Sequence, residues 1–136
     1  MTSASSSPAY LSFAFLVYAA ASLFHYVHNA TFLADYPNLP TWLSRSQIYG
    51  SWLAVMAIGV TGFVLVRRRS RIIGPAMLAG YGLIGLDGLA HYAVAPPSAH
   101  TLAMNAGILG EAATAIVLVT AIAWSMFSRE QVDRPT

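Results

Sequence analysis

The chain has no cysteine and no lysine, and few charges of either sign. Without cysteine there are no disulfides, no thiolate-held iron–sulfur clusters and no cysteine zinc sites. Charged residues make up 9% of the sequence, against about 25% in an ordinary soluble domain. So little charge argues for a chain solvated by lipid. All seven basic residues are arginine and the net charge is +2. Their number and local clustering argue against a nucleic-acid partner. The alternating ten-residue pattern of a membrane β-barrel is also missing.

What is present is long apolar runs. Four are long enough to cross a bilayer, near Tyr10–His28, Gln47–Val66, Ile72–Tyr92 and Ser98–Phe127; a crossing helix needs roughly 20 residues. The expected fold class is therefore all-α: an integral membrane four-helix bundle forming a single domain over residues 9–128. A Ser-rich tail of residues 1–8 is expected to be disordered, and residues 129–136 to form a second tail. "MTSASSSPAY" lacks the basic stretch of a cleavable signal, so the first run is read as a retained helix. Arg67, Arg68, Arg69 and Arg71 sit in the loop between runs two and three, and Arg129 and Arg134 in the tail. The positive-inside rule puts that loop and both termini in the cytoplasm. A multi-pass protein of a bacterial inner (plasma) membrane is the expectation, with the lipid bilayer as its first partner.

The loop of residues 29–46 then lies outside. It carries Phe32, Leu33, Tyr36, Leu39 and Trp42, with Pro37 and Pro40 as turn signals. It reads as an ordered flap. Ser44 and Gln47 have the spacing of a capping box for the second helix. Ser98 is the expected N-cap of the fourth. Gly82, Gly85 and Gly88 recur every three residues in the third run, which favours close helix packing. Pro75 falls near that helix's start, where proline is tolerated.

This topology gathers the polar residues. His25, His28, His91 and His100, all the histidines of the chain, fall at the outer end. Asp87 and Glu111 are the only acids inside apolar runs. Each costs roughly 2.5 kcal/mol or more to insert, so each should face the bundle interior with a partner. Tyr18, Ser22, His25 and Asn29 form one stripe of helix 1, with His28 beside it, which favours His25 as the inward residue. Asp87 and His91 stack at i,i+4. His100 and Glu111 share a stripe with Met104, which is read as core packing. Asp87 is sixteen residues from Arg71 and Glu111 sixteen from Phe127, which puts both at about 24 Å from the inner ends. Folding the last hairpin about residue 95 places Glu111 about two turns deeper than Asp87 instead, and this placement is preferred because it does not depend on the lipid boundary.

Imidazole and carboxylate suit a transition metal such as copper, iron or zinc. The expected ligands are His25, His28, Asp87, His91 and His100, with Glu111 orienting a histidine or relaying a proton. Asp87, His91 and His100 read D-x3-H-x8-H. That pattern resembles the Asp/His/His copper ligands of a membrane subunit of the particulate methane monooxygenase family. The resemblance implies metal chemistry and extends to these three residues alone. The first expectation is a metal-binding membrane protein, such as a redox enzyme or oxygenase-like protein acting on a lipophilic substrate. A second is a haem protein passing electrons to or from a quinone, with His25 and His91 as axial ligands. A third is a non-catalytic subunit of a larger complex or a homo-oligomer. A fourth is a metal-free isomerase or proton-linked carrier using Asp87 and Glu111 as acid/base groups.

Overall fold

A computed structural model describes residues 9–132. Both expected terminal tails fall outside these residues, apart from residues 129–132, which continue the last helix. Among the described residues every regular element is helical. Helix α1 spans Ala9–Thr31, α2 Arg45–Arg67, α3 Ile73–Ile84, α4 His91–Val94 and α5 Leu102–Val132. Short 3-10 turns cover Leu33–Asp35, Asp87–Ala90 and Pro97–Ala99. Four stretches are long and apolar enough to cross a membrane: α1, α2, Ile73–Val94 and Leu102–Ser128.

The helix ends follow local chemistry. Ser44 caps α2 with the full capping box. Its Oγ accepts from the Gln47 amide at 3.3 Å, and its own amide donates to Gln47 Oε1 at 2.8 Å. At the other end Arg69 takes a left-handed φ of 65°. Its amide bonds the Val66 carbonyl and the Ser70 amide bonds that of Leu65, a Schellman stop built without glycine. Ser70 Oγ then accepts from the Gly74 amide at 3.0 Å, tying the start of α3 to the arginine loop. Ser98 does not cap α5. The Pro96-Pro97 pair holds residues 97–99 in a 3-10 turn, and Thr101 Oγ1 takes the Met104 amide at 3.2 Å instead.

The third run is not one helix. Gly85 ends α3, with its amide bonding the Gly82 carbonyl and the Leu86 amide that of Leu83, both at 3.1 Å. A 3-10 turn and then α4 finish the crossing. Glycine is a weak helix former, and the triplet Gly82, Gly85, Gly88 concentrates that weakness where the run tightens. Asp87 and His91 consequently leave the straight i,i+4 stack expected of an α-helix.

Helices adjacent in the chain pack side by side. α2 lies on α3, α3 on α5, α5 on α1 and α1 on α2, so the ring closes in chain order. One half is apolar: Leu11, Phe15, Tyr18, Leu78, Tyr81, Leu118 and Ile122 form its core. It lies toward the arginine loop, whereas the histidines fall at the opposite end. Large apolar side chains such as Phe13, Leu53, Leu83, Ile116 and Val117 face outward, as a lipid-solvated surface requires. Bare backbone makes the α2–α3 contact possible. A Cβ at Gly62 would lie 2.7 Å from the Leu78 amide nitrogen, and one at Gly74 2.7 Å from that of Val66. Gly62→Val is therefore expected to destabilise the bundle by about 1–3 kcal/mol. Gly50→Ala, where a Cβ meets nothing within 4 Å, should be neutral or mildly stabilising. Denaturation of both variants in mixed detergent micelles checks the contrast.

Candidate functional site

α1 turns one stripe inward, as its 3.6-residue period dictates. Tyr18, Ser22 and His25 are buried along it, and Asn29 is half-buried above them. His25 Nδ1 pairs with Glu111 Oε2 on α5. Both residues are almost wholly buried, at 3% and 1% exposure. The third crossing covers the pair with backbone. A Cβ at Gly88 would lie 3.0 Å from His25 Cε1 and 3.6 Å from Glu111 Oε2. Glu111 is thus level with Gly88 and makes direct contact with a histidine, rather than lying two turns below Asp87. The symmetric-hairpin construction failed because residues 87–101 hold two 3-10 turns and a single turn of α-helix in place of a straight helix.

Beside the pair lies a cavity of about 110 Å³, lined by His25, Tyr26, Asn29, Asp87, Gly88 and His91. Asp87 is half-buried at its wall. The His91 ring is 5.6 Å from that of His25, and its Nε2 is 3.3 Å from Asn29 Nδ2. His100 is next, 6.1 Å from His91 between ring centroids. Its Nδ1 donates to the Pro96 carbonyl at 3.1 Å. Asn105 braces this turn: Nδ2 donates to the carbonyls of Pro97 and His100, while Oδ1 accepts from the Tyr92 hydroxyl at 2.7 Å.

His28 stands one ring further out. Its Nδ1 is 3.0 Å from the Tyr36 hydroxyl, and Tyr36 lies against both His91 and His100, at 5.0 and 6.4 Å. Burial pushes the Tyr36 phenol up to about 12, so it stays protonated and can donate to His28.

The expected site residues thus fall into three tiers. His25 and Glu111 form the buried pair. Asp87 and His91 share the cavity wall, with His100 edge-on to His91. His28 meets the others only through Tyr36. Two contributors, Tyr36 and Asn105, were not anticipated. Tyr36 sits among loop aromatics that read equally well as an interfacial belt, and nothing in the sequence singles it out. Asn105 is an isolated amide in a helix, with no spacing signal to mark it. Met104 is buried as core and its sulfur takes the Thr101 amide.

The free ring nitrogens are the chemical feature of this end. His25 Nε2, His91 Nδ1 and His100 Nε2 are all buried with no hydrogen-bond partner, as are Ser22 Oγ and Asn29 Oδ1. At His100 the anchoring partner is a carbonyl, which only accepts. The proton therefore sits on Nδ1, and Nε2 carries a lone pair. A neutral His25 donating to the Glu111 carboxylate has the same form. A carboxylate or carbonyl on one nitrogen that exposes the other as a base is the arrangement that orients metal-binding or catalytic imidazoles. Among the described residues, no group of three or more histidines or acids is already spaced to hold a metal ion.

Compared with known protein families, curated proteins and solved structures, the chain finds no match. Its own geometry makes the first test. His25→Ala strands the Glu111 carboxylate and should cost about 3–5 kcal/mol, as does breaking a buried ion pair elsewhere. A double-mutant cycle with Glu111→Gln should show coupling well above about 0.5 kcal/mol. Simple additivity would mean that the two side chains do not depend on each other.

Proposed function

We propose that this is a multi-pass membrane protein that binds a transition metal ion at its histidine end. The observation that carries this reading is the set of three imidazoles, two buried and His91 half-buried, that each keep one buried ring nitrogen unpartnered. A buried polar atom without a partner costs about 1–3 kcal/mol. Three on neighbouring rings, in a bundle otherwise economical with polar groups, are better accounted for as ligands than as packing. His25 and His100 are the proposed ligands through Nε2, and His91 joins them through its own Nε2 once that nitrogen gives up the Asn29 Nδ2 donor. Asp87 stands on the same cavity wall to supply negative charge. Glu111 and the Pro96 carbonyl act as the outer partners that set the tautomers of His25 and His100. His28 serves through Tyr36. Imidazole with carboxylate suits copper, iron or zinc. Gathering the rings on one ion takes side-chain rotation from their present spacing.

The arginine distribution supports placing this end on the non-cytoplasmic side. The cavity favours an ion over haem, because about 110 Å³ is far below the roughly 300 Å³ at which pockets for larger organic ligands begin. Redox chemistry on a lipophilic substrate is compatible with the apolar surroundings and is the extension of this reading to an enzyme.

A second reading rests on a different observation. Two imidazoles and one carboxylate, His25, His91 and Asp87, line a small cavity, with Glu111 behind His25 and, among the described residues, no ready-made metal group. His25, held in place by Glu111, then moves a proton to or from a bound molecule, with Asp87 as the second acid/base group.

Elemental analysis and cobalt titration of protein purified in mild detergent separate the two. Metal binding predicts one ion per chain and its loss in His91→Ala and His100→Ala. Glu111→Gln should weaken binding roughly 10–100-fold, the usual effect of removing a ligand's outer partner. Protein that takes up no cobalt, yet has activity or proton exchange indifferent to chelators, would transfer the assignment to the acid/base reading.

A further inference from the structure

Tyr36 belongs to the loop between α1 and α2, yet it is only 4% exposed. Tyrosines in such loops ordinarily keep the hydroxyl in water and the ring at the interface. This one turns inward. Its hydroxyl meets His28 at 3.0 Å, and its ring lies 5.9, 5.0 and 6.4 Å from those of His28, His91 and His100. One side chain thus covers three of the chain's four imidazoles.

The segment that carries it is lightly held. Among the described residues it has one 3-10 turn, Leu33–Asp35. It is pinned across by two exposed hydrogen bonds, Asn38 Nδ2 to the Val94 carbonyl at 2.9 Å and Arg45 to the Thr31 carbonyl at 3.4 Å. Exposed bonds and sparse packing mark segments that open at low cost.

The other end of the polar compartment is closed. The Tyr18 hydroxyl donates to the Tyr81 carbonyl at 3.1 Å, and the two rings lie 4.6 Å apart. Phe15 stacks on Phe63 at 4.6 Å and tilts against Tyr81 at 5.8 Å. Leu11, Leu78 and Leu118, all at 0% exposure, continue this floor.

We infer that Tyr36 is the door on the loop side of the outer imidazoles. A small hydrophilic solute, the metal ion included, reaches His91 and His100 from that side by displacing the Tyr36 ring. The door has a use only where the imidazoles are ligands, so this inference rests on the metal-binding reading.

The test reads the door without needing the metal. Diethylpyrocarbonate transfers its carbethoxy group to an unprotonated imidazole nitrogen, releasing carbon dioxide and ethanol. Peptide mass spectrometry of the detergent-purified protein gives the rate at each histidine. In wild-type protein His91 and His100 should react slowly. Tyr36→Phe loses the bond to His28 and should label these two roughly fivefold faster, the weight of one hydrogen bond. Tyr36→Ala removes the ring and should label them faster still. Trp42→Ala, in the same loop but 71% exposed, should label at the wild-type rate. Unchanged labelling of His91 and His100 in both Tyr36 variants would overturn the inference. If Tyr36→Ala does not fold, Tyr36→Phe decides. Cobalt titration of the same samples keeps the readings apart. Fast labelling without cobalt uptake retains the door and removes the metal, whereas cobalt uptake with unchanged labelling does the reverse.

Discussion

The pair between His25 and Glu111 is the constraint to which the rest of the histidine end conforms. A carboxylate in the middle of an apolar helix is tolerable only with a partner that shares its charge or proton. Glu111 has that partner in His25, which requires α1 and α5 to pack together in one register and with one facing. The neighbouring elements comply with backbone alone. Gly88 presents no side chain where a Cβ would crowd His25, at 3.0 Å from Cε1. The break in the third crossing brings Gly88 to that position. The irregular segment at Asp87–Ala90 is thus the means by which the third crossing reaches the pair.

The bundle divides its work between two halves. Toward the arginine loop, aromatic and aliphatic side chains interlock and leave the polar backbone groups satisfied within helices. Toward the histidines, side-chain packing gives way to a small cavity and to ring nitrogens without partners. Natural interiors seldom leave polar atoms unpaired, because the low dielectric that strengthens a made bond also raises the cost of an unmade one. Three of the unpaired atoms are on imidazoles held through their other nitrogen and a fourth, Asn29 Oδ1, borders the cavity, which is what separates a binding site from an imperfect core. A metal ion and a transferable proton would use the same lone pairs. The two readings of function therefore share residues and differ in what occupies the cavity.

Much of this was legible in the residues themselves. The apolar runs marked the four helical stretches long and apolar enough to cross a membrane, because hydrocarbon excludes every backbone structure that cannot satisfy itself. Ser44 with Gln47 marked the start of α2, since a capping box is a contact between residues three apart. The spacing of Tyr18, Ser22 and His25 identified the inward face of α1, and His25 over His28 as the buried histidine. Ser98 was misread because proline geometry, not cap preference, governs residues 96–99. The break at Gly85 was misread because the glycines that signalled tight packing also weaken the helix they belong to.

By itself, the sequence determined the four apolar helical runs, the start of α2 and the inward face of α1, since these are set by contacts within a few residues. The tertiary structure alone decided that Glu111 meets His25 from 86 residues away, that His91 and His100 come edge to face, and that Tyr36 turns in from the loop against them. Those relations depend on the rotation and axial register of one helix against another. Shape and packing across the whole bundle set both, and no local pattern encodes them.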